Sequence, residues 1–192
     1  MDKLILIGGG GHCKSVIDVI EQEGRFQIAG IVDKPELIGS SVLGYPIIGS
    51  DSDLVDLVKQ FKYAFITIGQ INSPMIRIKL FNLAINAGFI LPIIVSPRAY
   101  ISKYSKLEEG SIIMHDALVN SSASIGKNCI INSKALIEHD STIESFCHIS
   151  TNAVINGGVT VGQGSFVGSG AITKQNTEIQ KNSFIKAGSV FK

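Results

Sequence analysis

Tryptophan is absent from this chain of 192 residues, aromatic residues make up only 7% of it, and charged residues only 17%. The 17 lysines and arginines almost balance the 16 aspartates and glutamates, so the chain lacks the excess of positive charge with which proteins bind nucleic acids or anionic membranes. No apolar run reaches the roughly 18 residues that a transmembrane helix needs. These deficits argue against both a nucleic-acid partner and a membrane partner.

Cysteine is scarce as well. Cys13, Cys129 and Cys147 form no CxxC motif, and their odd number argues against a disulfide framework. The N-terminal apolar run, Lys3–Ile7, is too short for the core of a signal peptide, so we expect a cytoplasmic protein. The chain does contain 45% hydrophobic residues and 20 glycines, a composition that excludes disorder and indicates many turns around a β-branched core.

Residues 1–97 alternate between strand-like and helix-like stretches. Short apolar runs predict strands at Lys3–Ile7, Gln27–Asp33, Tyr63–Gly69 and Leu91–Val95, and helical spacing or capping residues predict helices at His12–Glu23, Ser50–Lys59 and Pro74–Ala87. Strands that alternate with helices in this order predict a small parallel α/β domain.

Residues 101–190 follow a period of six residues. Counted in blocks of six from Ile101, which we call hexads, the first residue is Ile, Leu or Val in fourteen of fifteen hexads, and the fifth is always small or β-branched. This period is typical of a hexapeptide-repeat parallel β-helix, in which three hexads form one triangular coil of eighteen residues. The first and fifth residues of each hexad are predicted to point inward.

Residues eighteen apart should therefore stack in successive coils. Cys129 and Cys147 are predicted to stack in the core, as two small hydrophobic residues or, alternatively, as a redox pair. Gly157 should stack on His139. Its backbone N–H is then a candidate donor to an oxyanion, although a tight corner of the coil would also require glycine.

Two histidines of the β-helix attract attention because neither occupies an inward position. His139 is third in its hexad and His148 is sixth in the next, so both are expected on the outside. A neutral imidazole near pH 7 is a suitable base for an amine that attacks a thioester. His115, His139 and His148 are separated by 24 and 9 residues, which does not stack them on one side, so no metal site is predicted.

The glycine run Gly8–Gly11 follows a strand and precedes a helix, which is the context of an anion site at a helix N-terminus. A dinucleotide fingerprint would need glycine where Cys13 stands, so we expect one nucleotide or sugar phosphate rather than NAD. Asp33 ends the second strand, where it can reach a nucleotide or simply form the turn, and Gly69, after the third strand, is a candidate for lining the same crevice.

With a glycine-rich α/β domain followed by an unbroken hexapeptide β-helix, the chain resembles the NeuD/PglD family of bacterial sugar acetyltransferases along essentially its whole length. The most specific part is Ile131–Ile149, where Asn132, the pair His139 and Asp140, and His148 match the family's spacing. The resemblance implies a Rossmann-like α/β domain over residues 1–97, a left-handed parallel β-helix over residues 98–192, and a homotrimer with sites between subunits.

The resemblance also implies roles for individual residues. His139 is the expected general base, with Asp140 and Asn132 associated with it, and His148 is expected near the acyl donor and acceptor. The nucleotide sugar is expected at Gly10, Gly11, His12 and Asp33. Lys174 and Lys186, together with Lys181, are candidates for the phosphates of coenzyme A, or are ordinary surface lysines. One departure is Gln70, because the family usually has asparagine after the glycine that corresponds to Gly69.

The predicted reaction is transfer of an acetyl group from acetyl-CoA to the 4-amino group of a UDP- or dTDP-linked 4-amino-4,6-dideoxyhexose, in the synthesis of bacterial surface glycans such as O-antigen. Two alternatives stay open. Sialic acid O-acetylation needs a similar base, and a protein that only binds nucleotide sugars would use the same pocket without turnover.

Overall fold

The computed structural model describes every residue from Met1 to Lys192, and the chain divides into two compact units. The first comprises Met1–Gly69 and Met75–Pro92, and the second comprises Gln70–Pro74 and Ile93–Lys192. The division thus follows Pro92 rather than residue 97. The second unit also takes in a short segment, Gln70–Pro74, from the middle of the first.

The first unit is a Rossmann-like α/β sheet with three helices. Its strands and helices are β1 Asp2–Ile7, α1 Gly11–Glu23, β2 Phe26–Val32, β3 Ser41–Val42, β4 Tyr45–Gly49, α2 Leu54–Leu57, β5 Tyr63–Ile66 and α3 Met75–Ala87. The sheet order is β3-β4-β2-β1-β5, and β1 runs parallel to both of its neighbours. Leu4–Ile7 is buried because β1 is central, which explains its continuous apolar run. No helix of the chain combines the length and apolarity required to cross a lipid bilayer.

Two details of this unit differ from the sequence-based prediction. The hairpin of β3 and β4 was not predicted; Leu43 and Gly44 form its turn, both with positive φ, and glycine favours this conformation. The predicted fourth strand, Leu91–Val95, is wrong. Only Ile94 and Val95 form a strand, and that strand pairs with the β-helix. An apolar run alone does not reveal which sheet it joins.

The second unit is the left-handed parallel β-helix. Its strands are β6 Ile94–Val95, β7 Tyr100–Ile101, β8 Lys106–Leu107, β9 Ile112–Ile113, β10 Leu118–Val119, β11 Ser124–Ile125, β12 Ile130–Ile131, β13 Leu136–Ile137, β14 Thr142–Ile143, β15 His148–Ile149, β16 Val154–Ile155, β17 Thr160–Val161, β18 Phe166–Val167, β19 Ile172–Thr173, β20 Glu178–Ile179, β21 Phe184–Ile185 and β22 Val190–Phe191. Three stacked parallel sheets result. The predicted fold class is confirmed.

The hexad period sets the register of this unit. Residues eighteen apart pair in neighbouring strands, as Leu118 does with Leu136. The first residue of each predicted hexad is the second residue of a strand, and those in the middle coils form a continuous buried core. Cys129 and Cys147 lie in that core as free thiols. Their mutual hydrogen bonding and burial raise the pKa of the Cys147 thiol, so we treat the pair as core packing.

The coil turns at the fourth residue of the hexad, which we call the corner. Corner residues have φ near +60°, among them Asp116, Asn128, Asp140 and Gly158. Glycine, asparagine and aspartate tolerate this left-handed conformation better than other residues do. Phe146 occupies a corner with φ of 62°, which is unusual for an aromatic residue.

Candidate functional site

A histidine and an aspartate form a bonded pair on the outside of the β-helix. His139 lies between β13 and the corner residue Asp140, and its Nδ1 is 2.7 Å from Asp140 Oδ2. The side chains are 56% and 66% exposed. Asp140 is a corner residue of the coil, with φ of 60°. The same corner places its carboxylate beside the His139 ring. When the imidazole is neutral, the bond to Asp140 keeps the proton on Nδ1 and leaves Nε2 as a proton acceptor.

The surroundings of His139 favour its protonated form. The hydrogen bond to Asp140 raises the pKa of His139 most, the charges of Asp140 and Glu138 add to the rise, and partial desolvation opposes it. Glu138 is held by Asn120, whose Nδ2 donates to Glu138 Oε2 over 2.8 Å. Glu138 was not among the predicted site residues, although its position beside His139 was a visible signal.

Gly157 stacks on His139, as predicted from their separation of eighteen residues. A Cβ atom at position 157 would lie 2.8 Å from both Cε1 and Nε2 of the His139 ring, so the ring has room only because residue 157 is glycine. The positive φ of the corner belongs to Gly158, not to Gly157. The N–H of Gly157 makes no hydrogen bond within the chain. Space for the His139 ring, rather than a tight turn, accounts for glycine at position 157.

Asn132 pairs with His148 and not with His139. Its Nδ2 lies 3.1 Å from His148 Nε2, and its Oδ1 accepts the N–H of Ser133 over 2.8 Å. Within the chain, Asn132 makes no hydrogen bond to the His139 pair, and their expected association stays a prediction. Asn132 follows β12, which pairs with the strand of His148, whereas His139 lies one side of the coil further on.

His148 is buried although it is not part of the core of the β-helix. The residue is only 7% exposed, and its Nδ1 lies 2.6 Å from the main-chain oxygen of Gln70. Its ring also contacts Phe166 edge-on, with centroids 5.2 Å apart. The hexad period predicted that the side chain leaves the core, but it did not predict that Gln70–Pro74 would cover it. Both ring nitrogens already have hydrogen-bond partners, so neither is free to take a proton from a substrate.

In the first unit, the glycine run lines a cavity of about 240 Å³. The lining residues are Gly8, Gly9, Gly10, Gly11, His12, Asp33, Thr67, Ile68 and Gly69. The structure thus brings together all five residues predicted to bind the nucleotide sugar. Asp33 Oδ2 accepts the N–H of Gly9 and Oδ1 accepts the N–H of Lys34, so this carboxylate also fixes the turn.

A second cavity of about 320 Å³ adjoins the first and shares Gly8, Asp33 and Ile68 with it. Its remaining walls are mainly apolar, with charged groups from Lys34, Asp51 and Lys79. A largely apolar cavity beside a glycine turn has the character of a small-molecule site, with room for a flat ring next to an anion-binding turn.

The remaining candidate residues are dispersed. Lys174 and Lys186 are exposed on the β-helix. The Nδ1 of His115 lies 2.7 Å from Ser96 Oγ. No group of three or more His, Cys, Asp or Glu side chains is arranged to hold a metal ion.

Comparisons with known proteins agree over both units. Residues 3–83 match the family model for the PglD N-terminal domain. PerB from Caulobacter crescentus, solved with CoA and GDP-perosamine, is 33% identical with a TM-score of 0.92, over 99% of this chain and 88% of that one. A perosamine N-acetyltransferase from the same organism, in which one histidine is replaced by asparagine, is 32% identical with the same score and coverage, again with both ligands.

The acetyltransferase domain of PglB from Neisseria gonorrhoeae FA1090 is 29% identical with a TM-score of 0.92, over 100% of this chain and 92% of that one. The same domain has been solved with acetyl coenzyme A. A search of curated protein sequences finds no match.

Proposed function

We propose, since this chain belongs to the PglD/NeuD-type family of sugar acetyltransferases, that it acetylates the 4-amino group of a nucleotide-linked 4-amino-4,6-dideoxyhexose with acetyl-CoA as donor. The observation that carries this proposal is the arrangement of His139, Asp140 and Gly157: an exposed imidazole with one nitrogen bonded to a carboxylate and a glycine stacked on its ring. The product would enter the synthesis of bacterial surface glycans. The structures of PerB with GDP-perosamine and CoA support an amino sugar as acceptor.

The proposed reaction uses His139 as the general base. The amine nitrogen attacks the carbonyl carbon of the thioester, and its proton passes to Nε2 of His139. When the tetrahedral intermediate collapses, the new C–N bond remains, the C–S bond breaks, and the proton goes on to the thiolate of coenzyme A. Asp140 stabilises the imidazolium that forms between these steps, and the N–H of Gly157 is a candidate donor to the oxyanion.

The nucleotide part of the substrate fits the two cavities of the first unit. Gly10, Gly11 and the N-terminus of α1 offer backbone N–H groups to the phosphates, and the adjoining apolar cavity would take the base. Gly10, Gly11, His12, Asp33 and Gly69 are the proposed contacts. UDP and dTDP are the nucleotides expected from the sequence analysis, and GDP joins them because PerB was solved with GDP-perosamine. On the other substrate, Lys174 and Lys186 are proposed contacts to the phosphates of acetyl-CoA.

A homotrimer is part of the proposal, because the faces of the β-helix differ. One column of outward side chains, which we call the apolar column, consists of Tyr100, Leu118, Leu136, Val154, Ile172 and Val190. Tyr100 and Val190 are 60% and 61% exposed in the single chain. The equivalent column on another face is polar, with residues such as Ser124, Thr142 and Thr160. A long exposed apolar stripe is typical of a subunit interface, and light scattering should give three times the mass of one chain.

A thiol-release assay with acetyl-CoA tests the activity. The acceptors are UDP-, dTDP- and GDP-linked 4-amino-4,6-dideoxyhexoses and sialic acid, and we expect turnover of at least one nucleotide sugar. His139→Ala should lower kcat/KM by about 10²–10⁴-fold without weakening nucleotide-sugar binding. His115→Ala is the matched control, since His115 is also third in its hexad and should leave the rate unchanged. Turnover of sialic acid alone, or binding with no turnover, would reject the proposal.

A further inference from the structure

Gln70 is a glutamine buried against the β-helix, far from it in sequence. Its side chain is 3% exposed, and Nε2 donates to the main-chain oxygens of Phe146 and Gly164 over 3.0 and 3.2 Å. Pro74 packs against Gly164. A Cβ atom at position 164 would lie only 3.1 Å from Pro74 Cγ. Both ends of Gln70–Pro74 are therefore seated on the corner column that contains Phe146 and Gly164.

The anchored residue presents its own main-chain oxygen to His148 Nδ1. The protonation of this ring follows from its neighbours. Because Oδ1 of Asn132 accepts the N–H of Ser133, the Asn132 atom that faces the ring is the donor Nδ2. Nε2 of His148 must then be an acceptor, so the proton lies on Nδ1 and is donated to the oxygen of Gln70. If the ring carried both protons, the N–H at Nε2 of His148 would point at the N–H of Asn132 Nδ2, and no hydrogen bond could form.

We propose that Gln70 is a positioning residue of the acyl-transfer site: it fixes His148 as the neutral, Nδ1-protonated ring, which in turn orients the amide of Asn132. This inference rests on the proposed function. An amide nitrogen has two hydrogens, and the bond to His148 uses one. Asn132 is half-buried and makes no other side-chain donation within the chain, so the second hydrogen is held in a fixed direction for a substrate oxygen.

Glutamine suits this role because its side chain must donate hydrogen bonds to main-chain oxygens. Every main-chain group that Nε2 faces is a carbonyl, so a donor is required there and a carboxylate would be repelled. Phe146, which supplies one of these carbonyls, keeps its corner conformation at a position where aromatic residues are rare.

The direct test is the tautomer of His148, read by two-bond ¹H–¹⁵N NMR correlation of the imidazoles in the wild-type protein, with His148→Asn to assign the signals. We expect a neutral ring with its proton on Nδ1 at pH 7. Gln70→Met removes the donors at nearly the same volume, and we expect that ring to sample both tautomers. This measurement needs no substrate, so it stands apart from the proposed function.

Kinetics supply the second readout. Gln70→Met and Gln70→Glu should lower kcat by about 10- to 100-fold with KM for the nucleotide sugar within about twofold, and Gln163→Glu is the matched control at an exposed glutamine. A wild-type His148 with its proton on Nε2 would overturn the inference. The inference would also be overturned if the tautomer of His148 were unchanged in Gln70→Met, whatever the kcat of that variant. If the wild-type protein turns over no nucleotide sugar, the proposed function fails while the NMR result still decides the tautomer.

Discussion

The two outward histidines of the β-helix lie nine residues apart and have opposite surroundings. His139 is more than half exposed, and only one of its nitrogens has a partner, the carboxylate of Asp140. His148 is buried, and both of its nitrogens have neutral partners. A base must take up and release a proton, which the first environment allows and the second prevents. This contrast supports the proposal that His139 transfers the proton and that His148 orients a neighbouring group.

The partners of each ring explain the difference. A carboxylate favours the imidazolium and therefore raises the pKa of His139. An amide N–H and a peptide oxygen favour the neutral ring instead, one as donor and the other as acceptor. Under that proposal, the same residue type serves two purposes on one scaffold. The following predictions test that division, beginning with the largest effect.

Gly157→Ala should disable the exposed histidine without touching the buried one. The new Cβ would lie 2.8 Å from two atoms of the His139 ring, so the ring must move from its place beside Asp140. A displacement of about 1 Å at a catalytic group is worth about 10²-fold, and we expect kcat to fall by about that factor. Steady-state kinetics at saturating substrates measure the loss, and circular dichroism checks that the fold survives.

A double substitution separates displacement of the ring from damage to the coil. In the His139→Ala background no imidazole remains to be displaced, so adding Gly157→Ala should change the residual rate by less than about threefold. A full further loss in that background would show that Gly157 acts through the backbone and not through His139.

His148→Ala should affect stability more than the equivalent change at the exposed histidine. Removing the buried ring leaves a cavity, an unpaired oxygen on Gln70 and an unpaired amide on Asn132, at a combined cost of about 2 to 3 kcal/mol. For a chain of this size that lowers the thermal midpoint by about 4 to 12 °C. His139→Ala should stay within about 0.5 kcal/mol of wild type. Equal midpoints for the two variants would contradict the contrast between them.

The repeat explains which parts of this site could be predicted. Stacking at eighteen residues predicted Gly157 on His139, because neighbouring coils are fixed by the period. It also predicted that His148 leaves the core. The period describes only which residues of neighbouring coils lie above and below a side chain. It could not predict that Gln70, which is 78 residues away in sequence, packs over His148.

Outside the repeat, prediction depended on local signals. The strand β1 could be predicted because a buried parallel strand is a continuous run of apolar residues, and the glycine run follows it directly. Ile94 and Val95 carried the same apolar signal but joined the β-helix instead. The hydrogen bond from Asn132 to His148 was not predicted, because family spacing gives the order of residues along the chain and not their hydrogen bonds. Long-range partners had to come from the structure.

Asp140→Asn should have the smallest effect, a loss of about tenfold in the maximal rate with a shift in its pH dependence. Asparagine keeps the corner conformation at φ of 60°, and its oxygen still accepts the proton of Nδ1. What disappears is the negative charge. Asp116→Asn is the matched control, because Asp116 is also a corner residue with φ of 57° but pairs with Arg98.

The direction of the shift follows from which form of His139 acts. Only the neutral ring accepts a proton, so the rate rises with pH as His139 deprotonates. Asp140 raises the pKa of His139, and Asp140→Asn lowers it, so the acid limb of kcat should move to lower pH while the plateau falls because a weaker base remains. Glu138→Gln should move the limb the same way but less, since the charge of Glu138 ranks below Asp140 among the causes of the raised pKa. A limb that stays in place in Asp140→Asn would mean that another group, and not His139, titrates with the rate.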